Sequence, residues 1–316
     1  MDSNSIARAT QSLETKEDLL RLLNQIKQDE MTEYGMSDKF YPFTMKHLNY
    51  YCNPNNSFHR YKQFKIKKKS GGFRLITAPR NQSFMLLLRY VNEIFKAVYT
   101  PSDYAMGFTE GRSVVTNANK HKGHNYVFNT DLKDFFPSIH QARVWKRLQL
   151  KPLLFKQSIA NVVAGLCSMK EKMEDGSVRY VLPQGAPTSP IITNMICDNL
   201  DRRLAGLAKR FGVVYSRYAD DITFSSMHNV YHPSGEFRKE LQRIVESQGF
   251  IMNEDKTRLQ KLGTRQEVTG IIVSDKLNVS QKYVRDIRNI LYIWRKYGYA
   301  TAFNKFYPRY KETKGH

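Results

Sequence analysis

The chain has 316 residues, 41% of them hydrophobic and 12% aromatic, which is enough apolar material for two or three compact subdomains and excludes a disordered tail. Lys and Arg number 50 against 29 Asp and Glu, a formal charge of +21, so the surface suits a polyanion, and nucleic acid is the polyanion expected. Cys52, Cys167 and Cys197 form neither a CxxC pair nor a disulfide framework, the N-terminus lacks a basic-then-apolar leader, and no apolar run approaches the roughly 18 residues of a membrane span; a cytoplasmic protein without a membrane partner is expected.

In chain order, residues 1 to 12 are polar and are expected to be loose, whereas Thr15-Lys16-Glu17-Asp18 resembles a capping box that opens a helix carrying Leu19, Leu20, Leu22, Leu23 and Ile26. An aromatic-rich stretch then ends in the loop signal of Tyr50 to Asn56. Tyr61 to Lys67, a turn at Ser70-Gly71-Gly72 and Phe73 to Ala78 read as strand, turn and strand. Phe84 to Tyr99 has helical spacing, residues 125 to 131 read as a buried strand ending in Asp131, and residues 141 to 169 look mostly helical. Lys170 to Arg179 reads as a hairpin turning at Glu174-Asp175-Gly176-Ser177, and Pro190 to Lys209 as a helix with Ile191, Met195, Leu200, Leu204 and Leu207 in one stripe.

Two strand-like runs, Val213 to Arg217 and Ile222 to Ser225, enclose Tyr218-Ala219-Asp220-Asp221 and place an acidic pair at the tip of a tight hairpin. After it come a helix over Ser234 to Gly249, short strands around Thr257 to Leu262 and Val268 to Val273, and a basic helical region from Ser280 to Lys311. Adjacent aspartates at a turn repel each other, which makes a divalent cation the natural third party, with Mg²⁺ favoured by hard carboxylate oxygens. Asp131, at the end of a buried strand, can meet the pair across one sheet, and two cations about 4 Å apart would serve an in-line displacement at phosphorus.

In these residues the chain resembles the reverse transcriptases, and among them the bacterial retron and defence-associated branch. The resemblance runs from about Lys65 to Val273. It rests on Tyr218-Ala219-Asp220-Asp221, on Asn129-Thr130-Asp131-Leu132-Lys133-Asp134-Phe135-Phe136, and on Leu182-Pro183-Gln184-Gly185-Ala186-Pro187-Thr188-Ser189-Pro190. The resemblance implies an α+β right-hand polymerase fold, with fingers, a palm built on an antiparallel sheet backed by helices, and a short helical thumb. By it, residues 1–60 are an N-terminal helical region, 61–124 fingers, 125–273 palm with part of the fingers at about 141–181, and 274–316 a thumb that is short or truncated.

It also assigns roles. Asp131, Asp220 and Asp221 become catalytic metal ligands for two Mg²⁺ ions, with Mn²⁺ as a substitute. Lys68 and Arg74, in a hairpin similar to the fingers hairpin, would contact the triphosphate, Phe136 would stand at the steric gate against a ribose 2′-hydroxyl, and Gln184 and Gly185 would line the nucleotide pocket. Lys256 matches the general acid that protonates pyrophosphate. Asn117-Ala118-Asn119-Lys120-His121 and Val268-Thr269-Gly270 fit retron signatures, so Asn117, His121, Val268, Thr269 and Gly270 are expected near RNA or primer. Arg285 and Arg288 of the thumb are expected to follow a duplex backbone while Ile287, Ile290, Leu291 and Trp294 pack inward. The implied function is RNA-directed DNA synthesis: a structured noncoding RNA serves as template and primer, dNTPs as substrates, and RNA-linked single-stranded DNA is the product, in antiphage defence with a toxin-type effector as a further partner. The alternatives are a defence reverse transcriptase outside the retrons, and a scaffold whose RNA or RNA–DNA hybrid restrains that effector.

Overall fold

The computed structural model describes residues 1–68, 71–173 and 175–314; Lys69, Ser70, Glu174, Gly315 and His316, which the sequence assigns to two turns and the C-terminus, lie outside the described residues. The N-terminal part is helical: α1 (Ser3–Gln11), α2 (Lys16–Glu33), α3 (Met45–Cys52) and α4 (Ser57–Arg60). The expectation of a loose N-terminus is corrected, because Asp2 caps α1 and Ile6 and Thr10 bury one of its faces. Thr15 and Asp18 do form the reciprocal capping box that starts α2.

The hairpin β1 (Tyr61–Lys67) and β2 (Phe73–Pro79) follows, then α5 (Gln82–Val98), α6 (Val114–Asn119) and β3 (Tyr126–Leu132). Next come α7 (Gln141–Leu148), α8 (Gln157–Cys167), the hairpin β4 (Met169–Lys172) and β5 (Val178–Val181), and α9 (Ser189–Phe211), whose C-terminus Gly212 closes in a left-handed conformation. The chain ends with β6 (Val214–Tyr218), β7 (Asp221–Ser226), α10 (Glu236–Ser247), β8 (Met252–Lys261), the short pair β9 (Glu267–Val268) and β10 (Ile271–Ile272), and α11 (Gln281–Lys314). No helix of the described residues is long and apolar enough to cross a membrane.

The central sheet is antiparallel throughout, in the order β6-β7-β3-β8. Its strands alternate, so Phe128 and Phe224 leave the same face and pack with Tyr231 and Phe237 of the α10 side, ring centroids 5.0 to 6.3 Å apart. One continuous buried cluster runs from Ile6 of α1 through Phe84, Phe128, Ile159 and Leu200 to Met252 of β8, so the N-terminal helices share their core with the sheet. The expected α+β architecture, an antiparallel sheet backed by helices, is the one observed.

Candidate active site

β6 and β7 pair from Val214 opposite Ser225 to Tyr218 opposite Asp221, which leaves Ala219 and Asp220 as a two-residue turn. Ala219 has φ of 58°, a left-handed conformation that costs a non-glycine residue about 1–3 kcal/mol and persists only where neighbours enforce it. β3 lies beside β7 with Asp131 directly opposite Asp221, and the Leu132 N–H donates to the Asp220 carbonyl at 2.9 Å. Three carboxylates from distant parts of the sequence thereby meet at one corner of the sheet.

The corner is electrostatically loaded. Burial, then the charges of Asp131 and Asp220, push the Asp221 carboxyl up to about 7; burial and Asp131 likewise raise Asp220. Asp221 Oδ1 is sealed from solvent without a hydrogen-bond partner. Asp131 Oδ2 instead accepts from the Lys256 ammonium, and that bond holds Lys256 above the usual lysine range. The reach of Lys256 comes from an irregularity in β8: between Asn129 and Asp131 of β3, the partners jump from Arg258 to Asn253. Residues 254–257 bulge from the ladder there, and Thr257 Oγ1 closes the bulge on the Asn253 carbonyl at 3.0 Å. The sequence alone puts Lys256 after a helix and before a strand; it stands inside one.

No group of three His, Cys, Asp or Glu side chains among the described residues is gathered into a ligand set, and Asp131 is paired with Lys256. The donors nevertheless fit a hard divalent cation: all are carboxylate oxygens, Oδ1 of Asp221 is orphaned, and two carboxyls are held above their usual range by burial and by acidic neighbours whose repulsion a cation would relieve.

A cleft of about 990 Å³ opens in front of the turn, lined by Asp220, Asp221, Lys68, Arg74, Phe136, Gln184, Gly185, Lys256 and Thr269. Asp131 faces a smaller adjoining space of about 320 Å³ that shares Asp221 and Lys256. Phe136 is partly exposed to the cleft, 6.2 Å from the Phe108 ring, whereas Phe135 is buried against Phe250. Lys68 and Arg74 are exposed on the β1–β2 hairpin. Gly185 has a reason the sequence does not suggest: its φ is 132°, and a Cβ there would stand 2.9 Å from both Ile76 Cγ2 and the Thr77 carbonyl oxygen of β2. The Thr77 N–H donates to the Gln184 carbonyl at 2.8 Å, so this loop is pinned to the hairpin.

The expectation that Asn117 and His121 touch RNA or primer is corrected. Both are fully buried. His121 Nδ1 and Nε2 stand 2.7 Å from the hydroxyls of Ser225 and Ser216, and burial lowers the imidazole to about 3, so it is neutral. Asn117 accepts from Ser216 at 2.6 Å and donates to Thr269 Oγ1 at 3.3 Å. The two signatures therefore meet as one buried network behind the hairpin. Of the second, Val268 is buried with Ala118 and Val127, which corrects its placement at the primer; Thr269 lines the cleft with φ of 48°, and Gly270 is exposed beside it.

α11 keeps Arg285 and Arg288 exposed, but of the four apolar residues expected to pack inward only Ile290 is partly buried: Ile287, Leu291 and Trp294 are 39%, 49% and 49% exposed, and Ile293 and Ala302 are buried instead. Gly298, at φ of 83° and ψ of 166°, breaks the helical run. Sequence reasoning misses Arg217, Asp201, Asn194 and Gly107, which hold the turn from behind. A signal exists: Arg217 is a charge inside a run of β-branched and aromatic residues.

A family model described as reverse transcriptase (RNA-dependent DNA polymerase) matches residues 66–280. Among curated proteins, the chain is 38% identical over 248 residues to the retron Mx65 reverse transcriptase of Myxococcus xanthus, covering 76% of this chain and 57% of that protein. It is 38% identical over 246 residues to the retron Mx162 reverse transcriptase of the same organism, covering 69% and 49%, and 32% identical over 233 residues to the retron Ec86 reverse transcriptase of Escherichia coli, covering 72% and 68%. The chain thus spans about half the length of the two Myxococcus relatives.

Proposed function

The chain belongs to the retron-type reverse transcriptases, and from that membership we propose that it is an RNA-directed DNA polymerase copying a structured noncoding RNA into RNA-linked single-stranded DNA. The observation that carries this reading is the meeting of Asp131, Asp220 and Asp221 beside a cleft that also presents Lys68, Arg74, Phe136 and Gln184.

A primer hydroxyl attacks the α-phosphorus of a dNTP, a new phosphodiester bond forms as the α–β bond to the leaving pyrophosphate breaks, and the hydroxyl proton passes to solvent water. Asp131, Asp220 and Asp221 would hold two Mg²⁺ ions, or Mn²⁺ in their place, which supply activation of the attacking oxygen and neutralisation of the leaving one. Arg74 offers a bidentate fork and Lys68 a point charge to the triphosphate, both exposed on the β1–β2 hairpin. Phe136 sets a ring where a ribose 2′-hydroxyl would sit, and Gln184 offers an amide to the nucleotide. Lys256 is the proton donor to pyrophosphate once it lets go of Asp131, since the bond to Asp131 holds its proton. A template bound through many phosphates agrees with the +21 charge. The biological role we propose with this reading is antiphage defence with a toxin-type effector as partner, in the cytoplasm of a bacterium.

The test is primer extension on an RNA template together with sequencing of nucleic acid that co-purifies with the protein. Wild type is expected to extend with dNTPs and to carry DNA branched from RNA; Asp220→Asn with Asp221→Asn is expected to bind RNA and extend nothing. DNA without an RNA link favours a reverse transcriptase outside the retrons, and defence that survives the double substitution favours the scaffold.

A further inference from the structure

Behind the catalytic turn lies a charged pair to which the chemistry above gives no role. Arg217 and Asp201 are both without solvent exposure, and they are joined as a fork: Nε donates to Asp201 Oδ1 and Nη2 to Oδ2, each at 2.7 Å. Burial works against the Arg217 charge, but Asp201 holds it ionised. Asp201 also accepts from the Tyr215 hydroxyl at 2.8 Å and the Ser102 hydroxyl at 3.0 Å. Nη1 of Arg217 points the other way, to Asn194 Oδ1 at 3.2 Å and to the Ala219 carbonyl at 3.1 Å. That carbonyl belongs to the residue whose left-handed φ shapes the turn.

The other side of the turn is closed by Gly107, where a Cβ would stand 2.5 Å from the Ala219 nitrogen, and Asn194 Nδ2 holds the Gly107 carbonyl at 3.0 Å. The Arg217 backbone is itself clamped, its N–H donating to the Tyr104 carbonyl at 2.8 Å and its carbonyl accepting from the Met106 N–H at 2.7 Å. Stability alone does not call for such a pair, because apolar side chains of similar volume commonly replace a buried ion pair without loss. What an apolar pair cannot do is donate to Ala219. We propose that Arg217, neutralised by Asp201, is a positioning residue of the polymerase centre: it holds the Ala219 carbonyl, keeps the turn in its left-handed form and so sets the directions of the Asp220 and Asp221 carboxylates.

The activity arm of the test rests on the polymerase reading; a second arm does not. Arg217→Met with Asp201→Leu, in the full chain, removes the donor without leaving a lone charge. The variant leaves the Tyr215 and Ser102 hydroxyls without their acceptor, so it is expected to melt below wild type while staying folded and binding template–primer within about twofold, but to add nucleotides at least tenfold more slowly and to need several-fold more Mn²⁺ for half-saturation, read by electron paramagnetic resonance without turnover. Adding Ala219→Gly, which takes the positive φ without a Cβ, is expected to restore a large part of both. A folded double variant with wild-type rate and Mn²⁺ binding, or a loss that Ala219→Gly leaves untouched, overturns the proposal. Should the double variant fail to fold, Arg217→Lys, which keeps the charge but loses the fork, is measured the same way, and wild-type values there overturn it. If wild type itself adds no nucleotide, the polymerase reading fails while the Mn²⁺ titration still decides the positioning role.

Discussion

Asp221 sets stability against chemistry within a single side chain. Its carboxyl is pushed up to about 7 by burial and by its two acidic neighbours, while an unfolded aspartate titrates near 3.9. Between those values the folded protein binds a proton that the unfolded chain has lost, so this group's contribution is fully present below about pH 4 and is lost as the pH rises through about 7. At about 1.4 kcal/mol for each tenfold change in proton affinity, the loss amounts to a few kcal/mol. In EDTA, the melting temperature of wild type is expected to fall between pH 5 and pH 8, and Asp221→Asn to flatten that fall while abolishing primer extension. An unchanged slope in the variant would place the cost elsewhere. Magnesium added at pH 8 is expected to raise the wild-type melting temperature more than that of the variant, since only the wild type gains a full set of charged ligands. Phe136 makes a second forecast at this scale. It is the partly exposed ring of the Phe135–Phe136 pair and packs against the core with its other side, so Phe136→Ala is expected to lower stability and, separately, to reduce the preference for dNTPs over ribonucleotides by about tenfold or more. Equal selectivity in single-nucleotide addition rejects the gate.

Between elements, the contact with most consequence is that of the Gln184–Gly185 loop with β2. Gly185→Ala must either abandon φ of 132° or displace Ile76 and Thr77, and in both cases the neighbouring Thr77-to-Gln184 bond is disturbed. A destabilisation of about 1–3 kcal/mol is expected in urea titration, with a raised KM for dNTP, because the loop and the β1–β2 hairpin share the cleft. A variant that melts as wild type would mean the loop relaxes freely. These contacts also explain what the sequence can and cannot reveal. The hairpin around Asp220, the long helices α5 and α9 and the strand carrying Asp131 are legible because each has a local period or a turn that depends on no distant partner. α1 is not, since only Ile6 and Thr10 anchor it within a polar run. His121 and Asn117 look like surface residues until Ser216 and Ser225, about a hundred positions away, supply their hydrogen bonds. The bulge that delivers Lys256 is invisible in β8 alone, because it is defined by the register against β3. The apolar residues of α11 have helical spacing, but spacing does not say whether anything lies opposite.

Over the whole molecule, the proposed binding of nucleic acid would draw on charge and on exposed aromatic surface, and salt separates the two contributions. The excess of 21 positive charges is expected to make affinity for template–primer steeply dependent on ionic strength, each neutralised phosphate contributing about 0.7–0.9 to the slope of log affinity against log salt. On α11, Arg285 and Arg288 stand exposed beside Tyr283, Tyr292 and Trp294, which are also exposed. If this helix tracks a duplex, Arg285→Ala with Arg288→Ala should weaken binding uniformly across sequences and make the slope shallower by about 1.4 to 1.8, without lowering the melting temperature, since neither side chain is buried. Trp294→Ala tests the other component: a stacking contact is worth about 1–3 kcal/mol and involves no counterion release, so affinity should fall while the slope stays where it was. Fluorescence anisotropy over a range of salt concentrations distinguishes the two. A double arginine variant with the wild-type slope would remove α11 from the phosphate-binding surface and leave the charge of the remaining chain to account for the affinity.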